Sequence, residues 1–492
     1  MSPTLASRTA DFAQWYLDVV RGGDLARYSP VRGCIVVRPY GFALWEHIRD
    51  ALDRRIKDTG HANIYLPLLV PESLLLKEAE HVEGFAPQVA WVTHGGADEL
   101  SERLAIRPTS EALIGEIYRD EIQSYRDLPV LVNQWANVVR WELRTRPFLR
   151  TAEFLWQEGH TFHETAAQAR EEAGRMLGIY REIWRDWLAI PTIIGRKSES
   201  ERFPGADDTL TGEALMGDGR ALQMGTSHDL GQNFARAFDI QFLDRANKRR
   251  HPYGTSWGFS WRTIGAIVMV HGDERGLVLP PRIAPIQVVI VPIWRTGAER
   301  VAVEAAIEEA GAAIQARTVF GDQSVRVEID WRDHVTPGFK FNEWEQRGVP
   351  IRLEVGPRDV SDRTIVIVPR IATSEGMPTR EVAPVDEAAG KVVELLENLQ
   401  SRLLARAESS LRTHTRAARS WDGLVGAFDD GGGFVVSGWC GSADCERAVR
   451  DATGATLRVL PFPGEIAKED ASGGCVRCDR RPAELAVFAR AY

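Results

Sequence analysis

Apolar side chains return every three or four residues in three long segments of the chain, a pattern that predicts amphipathic helices. The first segment runs from Gly41 to Asp58 and stops at Thr59 and Gly60, the second from Thr165 to Leu188, and the third from Val385 to about Arg416. The apolar face of the first helix consists of Trp45, Ile48, Leu52 and Ile56. The pattern therefore assigns all three segments to helices.

Shorter apolar runs between these helices predict strands. In the first half of the chain they lie at Ile64 to Val70, Leu222 to Thr226 and Ile264 to Val270. Pro67 falls inside the first run, and proline within a strand points to a sheet edge or an interface. Strands separated by long helices predict an α+β domain with a mainly antiparallel sheet.

The pattern changes after Pro280, Pro281 and Arg282. Short apolar strands then alternate with helical segments, as expected of a small α/β domain. These strands are Val288 to Pro292, Val325 to Ile329, Ile351 to Val355 and Thr364 to Val368. A third region, from about Ser420 to Tyr492, is rich in glycine. We therefore predict three domains, at residues 1–283, 284–400 and 401–492.

The composition is that of a soluble globular protein, with 492 residues, 44% of them hydrophobic and 26% charged. No basic segment followed by an apolar run begins the chain, and no run reaches the roughly 18 apolar residues of a membrane span. We expect a cytoplasmic protein without membrane contact. The net charge of -9 argues against a uniformly basic nucleic-acid-binding surface, although a local basic patch stays possible.

Four of the five cysteines form two close pairs near the C-terminus. Cys440 and Cys445 are spaced C-x4-C, and 29 residues later Cys475 and Cys478 are spaced C-x2-C. Two such pairs suit a closed, structural zinc site, and four unrelated reduced thiols are the alternative. The fifth cysteine, Cys34, is expected to be inert.

One segment carries the strongest chemical signal. It reads as a strand ending in Arg140-Trp-Glu142, a turn marked by Pro147, and a returning strand from Glu153 to His160. Such a hairpin would present a guanidinium beside a carboxylate, and a planar Arg side chain holds phosphates and carboxylates rigidly. From these residues alone, a surface Arg–Glu pair on an ordinary hairpin is the alternative.

The whole hairpin segment resembles motif 2 of class II aminoacyl-tRNA synthetases, in the version carried by prolyl-tRNA synthetases of archaea, eukaryotes and some bacteria. The helix and strand between Gly41 and Val70 resemble motif 1, which builds the dimer interface of class II enzymes and so implies a homodimer. The segment from Gly276 to Arg282 is matched to motif 3, with two prolines where most class II enzymes have glycines. The resemblance covers nearly the whole chain.

This resemblance implies a class II catalytic α+β domain, a small α/β anticodon-binding domain and a C-terminal α+β zinc-binding domain. It also implies a proline–tRNA ligase that uses ATP and Mg²⁺, with zinc in a structural role. Activation brings a carboxylate to the α-phosphate of ATP, so it requires positive charge and orientation. Arg140, Glu142 and Arg282 are the expected catalytic residues.

The resemblance also assigns the two ends of the substrate site. Proline would contact Thr109, Glu111, Arg140, Phe154, Trp156 and His228. ATP would contact Arg140, Glu142, Arg150, Thr151, Gln223, Thr226, Ser260, Arg262 and Arg282. Taken alone, Thr109 and Glu111 would be a helix start, the aromatic residues core, and His228 a structural histidine.

The second domain resembles an anticodon-binding domain around Pro337 to Trp344 and Arg352 to Asp359. Proline anticodons carry two guanines, whose Watson–Crick edges offer donors to a carboxylate. Glu343 or Glu354 would read guanine, and Lys340, Arg352 and Arg358 would contact phosphates of tRNA(Pro). A solvated charged surface is the alternative for each residue.

Two rival functions are considered. A catalytically inactive paralogue that only binds RNA would lack Arg140, Glu142 or Arg282, and all three are present. A synthetase for another amino acid, such as threonine, is the second rival. About 120 residues separate Thr151 from Arg275, too few for the editing insertion of bacterial-type prolyl enzymes, so we expect no editing in cis.

Overall fold

The computed structural model describes residues 5–81, 89–142, 144–372, 380–467, 473–481 and 484–492. Its helices are α1 Phe12–Gly22, α2 Pro39–Asp58, α3 Glu72–His81, α4 Glu111–Glu121, α5 Ala166–Glu182, α6 Asn233–Ala237, α7 Arg262–His271, α8 Gly297–Gln315, α9 Pro337–Gln346, α10 Pro357–Asp362, α11 Val385–Thr413, α12 Trp421–Asp429 and α13 Ala443–Thr453. A short 3₁₀ turn covers Tyr125–Asp127, and a π-helical turn, Ile183–Trp187, extends α5.

The strands of the first 283 residues are β1 Ala26–Tyr28, β2 Ile35–Val37, β3 Ala62–Asn63, β4 Leu69–Pro71, β5 Trp91–Gly95, β6 Asp98–Ile106, β7 Val130–Val139, β8 Glu153–His163, β9 Ile193–Arg196, β10 Asp208–Leu215, β11 Ala221–Gly231, β12 Phe242–Leu243, β13 Arg249–Arg250 and β14 Tyr253–Ser260. The later strands are β15 Val288–Pro292, β16 Thr318–Val319, β17 Gln323–Ser324, β18 Val327–Ile329, β19 Ile351–Val355, β20 Thr364–Pro369, β21 Glu381–Pro384, β22 Thr415–Ala417, β23 Phe434–Trp439, β24 Thr456–Pro461 and β25 Glu484–Ala489.

One large sheet organises the molecule. Its order is β22-β23-β25-β24-β9-β10-β11-β14-β8-β7-β3, and its neighbours are antiparallel except β22 with β23 and β3 with β7. The last four strands of the chain thus extend the sheet that the first region begins, through pairing of β24 with β9. The predicted antiparallel sheet is confirmed, and the third region is joined to it by backbone hydrogen bonds.

A second sheet of five strands, in the order β18-β15-β19-β20-β21, lies between these parts of the chain. β15 pairs in parallel with β18 and β19, and the other two pairs are antiparallel. Helices α8 and α11 cover it, with Val303, Ile307 and Leu396 buried in its core. This is the small α/β domain that the alternating pattern predicted.

Two strand predictions are wrong. Residues Ile264 to Val270 belong to helix α7, in which nearly every side chain is buried. A helix enclosed on all sides has no polar face, so its sequence cannot be told from a buried strand by periodicity. Residues Ile64 to Val70 are not one strand, because β3 ends at Asn63 and β4 begins at Leu69, with Pro67 between them.

The main core lies between the large sheet and the helices that cover it. Its largest fully buried side chains include Trp15, Trp184, Trp257 and Tyr180. Along the parts of the chain that the structure describes, no helix combines the length and apolarity needed to cross a membrane.

Candidate active site

The hairpin predicted around Pro147 is formed by β7 and β8, whose register pairs Val139 with Glu153. Arg140 follows β7 directly, and its backbone N–H donates to the carbonyl of Ala152 at 2.8 Å. Its Nε donates to the carbonyl of Pro108 at 3.1 Å. The guanidinium lies 5.5 Å from the ring centroid of Phe154 and 5.4 Å from that of Trp156, so backbone and aromatic contacts together fix its direction.

A cavity of about 320 Å³ opens in front of Arg140, over strands β8, β11 and β14. The structure brings ten of the residues expected at the substrate site to its walls. They are Thr109, Glu111, Arg140, Phe154, Trp156, Gln223, Thr226, His228, Ser260 and Arg262. Residues from β8, β11 and β14, from the end of the hairpin and from the start of α4 therefore line one cavity.

Arg262 supplies the second guanidinium of this cavity. It is the first residue of α7, directly after β14, and its Nε donates to the carbonyl of Leu149 at 3.2 Å. Burial, and then the nearby positive charge of Arg140, lower the pKa of Arg262 to about 10. At neutral pH both side chains are still cationic, so they give the cavity two positive charges, besides those of Lys197 and Arg202, that an anionic ligand would compensate.

The expectation that Arg282 shares this cavity is wrong. Arg282 lines a separate cleft of about 470 Å³, with Trp187, Phe320 and Gln400. Its guanidinium lies 5.5 Å from the ring of Trp187 and 4.8 Å from that of Phe320. Its backbone N–H donates to Gln400 of α11 at 3.2 Å. Because α7 separates the two arginines in the chain, the residues after α7 are carried away from the cavity.

Glu142, Arg150 and Thr151 lie on the loop that joins β7 to β8. Arg150 Nε donates to Glu142 Oε2 at 2.6 Å, and Thr151 Oγ1 donates to the carbonyl of Glu153 at 2.7 Å. The carboxylate next to Arg140 in sequence is therefore paired across the loop. Within the described part of the chain, the residues that line the cavity do not include these three.

Thr109 and Glu111 form one end of the cavity, at the start of α4. Both are buried, and the hydroxyl of Thr109 donates to the carboxylate of Glu111. The adjacent Ser110 donates to Glu158 of β8 at 2.5 Å. This end of the cavity thus carries two acidic side chains, whereas Arg140, Arg202 and Arg262 contribute guanidinium groups to the lining.

His228 reaches the cavity from β11. Its Nδ1 lies 3.0 Å from Thr209 Oγ1, and its ring stacks on Phe203 with centroids 4.5 Å apart. Burial, followed by the positive charges of Arg140 and His160, lowers its pKa to about 3. His228 is therefore a neutral imidazole at physiological pH.

Sequence reasoning missed Glu158 and His160, which also line the cavity. Burial would lower the pKa of His160, but its contact with Glu158 at 3.4 Å and the charge of Glu111 outweigh that effect and raise it. Both residues continue a two-residue alternation from Phe154 and Trp156, and alternate residues of a strand share one face. That spacing could have revealed them.

Lys197, Arg202 and Phe203 were also missed. They line the cavity from residues 197–204, which connect β9 to β10. The sequence of this connection has no local pattern that indicates a binding site. Its position follows from the sheet, because β10 lies next to β11.

The predicted anticodon residues divide into buried and accessible ones. Lys340 does not meet the expectation of phosphate contact, because it is 2% exposed and its Nζ donates to the carbonyl of Asp330 at 2.8 Å. Glu343 is bridged to Arg332 at 2.7 Å and to Arg347 at 2.9 Å. Its carboxylate is therefore engaged on both sides by guanidinium groups.

Glu354 and Arg352 form a pair on β19. Arg352 Nη2 lies 3.0 Å from Glu354 Oε1, and its guanidinium stacks 4.4 Å from the ring centroid of Phe341. Arg380 contacts the second oxygen of Glu354 at 3.2 Å. Arg358, at the start of α10, is exposed. Glu354 itself is 5% exposed, so the groups at this surface are chiefly the guanidinium groups and one aromatic ring, which are able to contact an unpaired base.

The four C-terminal cysteines converge, as their spacing predicted. Their sulfur atoms all lie within 4.8 Å of one another, and Cys440 Sγ is 3.7 Å from both Cys445 Sγ and Cys478 Sγ. A tetrahedral zinc with Zn–S bonds of about 2.3 Å requires sulfur atoms about 3.8 Å apart. The residues therefore fit a structural zinc ion.

The ionisation of the thiols differs within the cluster: burial raises the pKa of Cys440 and of Cys445, whereas that of Cys475 is lowered. Burial would raise the pKa of the Cys475 thiol, but hydrogen bonds from the backbone of Arg477 and Cys478 outweigh this and lower the pKa to about 7. Thiolates, not thiols, bind metal ions.

Three family models match successive parts of the chain. They are the class II tRNA synthetase core domain (G, H, P, S and T) at residues 91–271, the anticodon binding domain at 287–403, and the prolyl-tRNA synthetase C-terminal model at 421–492. The proline–tRNA ligase of Rubrobacter xylanophilus is 54% identical, over 99% of this chain and 98% of that protein. The chain belongs to the prolyl-tRNA synthetase family.

Further members of the prolyl-tRNA synthetase family are similar over the same length. The proline–tRNA ligase of Natranaerobius thermophilus is 51% identical, over 99% of this chain and 98% of the relative. The crystal structure of prolyl-tRNA synthetase from Cryptosporidium parvum, complexed with halofuginone and AMPPNP, matches with a TM-score of 0.90 at 37% identity and covers 99% of both chains. The class II fold and the order of its three parts are thereby confirmed.

Proposed function

We propose that this chain is a proline–tRNA ligase that forms prolyl-adenylate and pyrophosphate from L-proline and ATP. It then transfers proline to the 3′-terminal adenosine of tRNA(Pro). The observation that carries this proposal is the convergence of Arg140 and Arg262 on one cavity whose other end holds Glu111, in a chain 54% identical to a proline–tRNA ligase.

The reaction forms a bond between a carboxylate oxygen of proline and the α-phosphorus of ATP, and breaks the bond from that phosphorus to the pyrophosphate. The two reacting groups, the carboxylate of proline and the α-phosphate of ATP, are both anionic, so they repel one another until positive charge lies between them. Arg140 occupies that place, with its direction set by Pro108, Phe154 and Trp156. Such a preorganised cation stabilises charge that develops during the reaction and needs no movement of its own.

Arg262 contacts the phosphates of ATP in this proposal. It lies beside Gln223, whose carbonyl accepts a hydrogen bond from Arg262 Nη1 at 3.4 Å, and Thr226 and Ser260 complete this wall. Glu142, Arg150 and Thr151 contact the adenosine from the hairpin loop. Mg²⁺ accompanies the triphosphate, since it is bound mainly by phosphate oxygens and water.

Proline binds at the opposite end. The carboxylate of Glu111 and the hydroxyl of Thr109 receive its positively charged secondary amine, and Phe154 and Trp156 pack against the ring. His228 is neutral and adds no positive charge to repel the amine. Glu111 and Arg140, which line the same cavity, therefore match the amine and the carboxylate of one amino acid.

The anticodon surface is proposed to consist of Glu354, Arg352 and Arg358, with Phe341 as a stacking platform. Glu343 is a second proposed guanine reader: its carboxylate is held by two guanidinium groups, as is that of Glu354, and its side chain is 20% exposed against 7% for Glu354. Lys340 is left out of this surface because it is buried. The tRNA would thus be read by the five-stranded domain while its 3′ end enters the cavity.

A homodimer is also proposed. Tyr65 and Leu69 of the motif 1 segment, together with Leu76 and Trp91, are large apolar side chains at the surface of the single chain, and Tyr65 is 76% exposed. Their burial between two copies would account for this exposure. Light scattering after gel filtration would give twice the mass of one chain, and a monomer at micromolar concentration would contradict the assignment.

Editing in cis is not part of the proposal. Every residue from Thr151 to Arg275 is described, and this part of the chain forms β8 to β14 with α5 to α7, most of which build the catalytic sheet and its cover. A pocket for proline cannot strongly exclude a smaller apolar amino acid. Alanine should therefore be activated weakly, and rapid deacylation of alanyl-tRNA by the purified chain would contradict this view.

The direct test is amino-acid-dependent exchange of pyrophosphate into ATP, measured with each amino acid in turn. Proline should give the highest kcat/KM. Exchange with threonine but not proline would make the chain a synthetase for another amino acid. Binding of tRNA without exchange for any amino acid would make it an inactive paralogue.

A further inference from the structure

The connection between β9 and β10 forms one wall of the substrate cavity. Its residues Lys197, Glu201, Arg202, Phe203 and Pro204 all line that space. The connection contains no helix or strand. Contacts with other elements therefore determine the position of this connection.

Phe203 links the connection to His228, which lines the cavity where proline is proposed to bind. Its backbone N–H donates to Thr209 Oγ1 at 3.1 Å, and the same oxygen lies 3.0 Å from Nδ1 of His228. The Phe203 ring also stacks on the His228 ring at 4.5 Å. A displacement of the connection would therefore move Phe203 and His228 together.

The early part of the connection is held by one carboxylate from the C-terminal region. Ser198 Oγ donates to Glu446 Oε1 at 3.0 Å, and Ser200 Oγ donates to Glu446 Oε2 at 2.7 Å. Glu446 lies on α13 and is 6% exposed, and Ser198 is also buried. Both oxygens of one buried carboxylate are thus used to hold two hydroxyl groups of the cavity wall.

Lys197, where the connection begins, is held from the same region. Its Nζ donates to the carbonyl of Arg458 at 2.7 Å and to Glu213 at 2.8 Å. The side chain of Arg458 binds both oxygens of Glu213, and β24, the strand that contains Arg458, pairs with β9. The catalytic region thus contributes one wall of its cavity, and α13 and β24 fix that wall in place.

We propose that Glu446 is a positioning residue for amino-acid binding, which sets the place of Phe203 and His228 through Ser198 and Ser200. This inference rests on the proposed function and adds a role for the C-terminal region in it. Glu446 does not line the cavity and contacts no reacting group, so it acts only through the wall that it holds. Its removal is expected to weaken binding of proline more than binding of ATP, because Phe203 stacks on His228, which is proposed to contact proline.

The test compares Glu446→Ala and Glu446→Gln with a control variant, Asp444→Ala. Asp444 lies on the same helix but is exposed, and pairs only with Arg447 among the ion pairs of the described residues. In pyrophosphate exchange, Glu446→Ala should raise the KM for proline roughly tenfold, because only part of the free energy of the two lost hydrogen bonds is expressed in proline binding. The KM for ATP should change less than about twofold. Glu446→Gln retains one acceptor oxygen, so its KM for proline should lie between those of the unaltered chain and Glu446→Ala.

A double-mutant cycle with the two serines separates positioning from a general loss of stability. Replacing Ser198 and Ser200 together by alanine should raise the KM for proline as Glu446→Ala does, and combining all three changes should add little, because they remove one interaction. A lower Tm with an unchanged KM for proline would overturn the proposal, as would equal effects on proline and ATP. If Glu446→Ala does not fold, the KM for proline of the double serine variant and of Glu446→Gln tests the proposal instead.

Pyrophosphate exchange by the unaltered chain shows whether the positioning role of Glu446 or the proposed function itself is wrong. If it exchanges pyrophosphate with proline while the Glu446 variants behave like the Asp444 control, only the positioning role is wrong. If the unaltered chain shows no exchange with proline, the proposed function is wrong and the positioning role falls with it.

Discussion

Replacing Arg262 by glutamine should impair activation far more than replacing Arg282 by glutamine. Two opposite charges about 4 Å apart attract by about 4 kcal/mol at an effective dielectric constant of about 20. Arg140 retains part of the phosphate contact, so a loss of about 10²- to 10³-fold in kcat/KM is expected, at 1.4 kcal/mol for each factor of about ten. Arg262→Lys keeps the positive charge but not the planar guanidinium group, so its kcat/KM should lie between those of the unaltered chain and Arg262→Gln.

Arg282→Gln should leave kcat/KM within about threefold of the unaltered chain. Its guanidinium stacks on Trp187 and Phe320 in the other cleft, so its loss should instead lower stability by about 1 kcal/mol. The assay is proline-dependent pyrophosphate exchange, with thermal unfolding of each variant as the control for folding. If Arg282→Gln stays folded and loses as much activity as Arg262→Gln, the assignment of the two arginines is refuted.

Three further predictions concern the metal, the anticodon surface and pH. Cys475→Ser should lower bound zinc from one per chain to near zero by elemental analysis, and unchanged zinc content would refute the site. Glu354→Gln should raise the KM for tRNA without changing pyrophosphate exchange. Lys340→Met should instead lower the Tm, because it leaves the buried carboxylate of Asp330 without its lysine partner. A reversed pattern would refute the assignment of Glu354 to tRNA binding and of Lys340 to stability. Five histidines have a pKa that burial lowers to about 3 or about 4 in the folded chain, below the usual value of about 6.5. They are His47, His61, His163, His228 and His271. The unfolded chain therefore binds more protons, and stability should fall as pH drops from about 7 to 4. A urea midpoint that does not change between pH 7 and pH 5 would contradict this expectation.

The strands and amphipathic helices of this fold could largely be read from periodicity. The hairpin of β7 and β8 and the strands of the five-stranded sheet alternate or run apolar over their whole lengths, so their places follow from local sequence. Helix α7 could not be recognised, because it is enclosed by β11, α1 and α11 and has no polar face. Its true bounds come from tertiary packing, which periodicity does not record.

The second guanidinium of the site was predicted as a nucleotide contact, but the catalytic role was assigned to Arg282 in the segment matched to motif 3. A strand followed by a helix at Ser260 to Arg262 places Arg262 at the first helical residue. The residues were predicted as nucleotide contacts, but their relative importance required the fold.

Long-range contacts were beyond sequence reasoning altogether. Glu446 is 248 residues from Ser198, and each residue is unremarkable in its own segment. Lys340 likewise resembles a surface cation until Asp330 is seen to accept from it inside the domain. Such pairings depend on which strands are neighbours, and the pairing of β24 with β9 has no local signal.

The most direct test of the central claim is the formation of prolyl-adenylate by the purified chain in a single turnover without tRNA. Radiolabelled proline is mixed with excess enzyme and ATP, and the adenylate is separated from free proline. The unaltered chain should convert most of the bound proline within seconds, and Arg140→Ala should be slower by at least about 10²-fold. Equal rates in the two proteins, or no adenylate from the unaltered chain, would contradict the account.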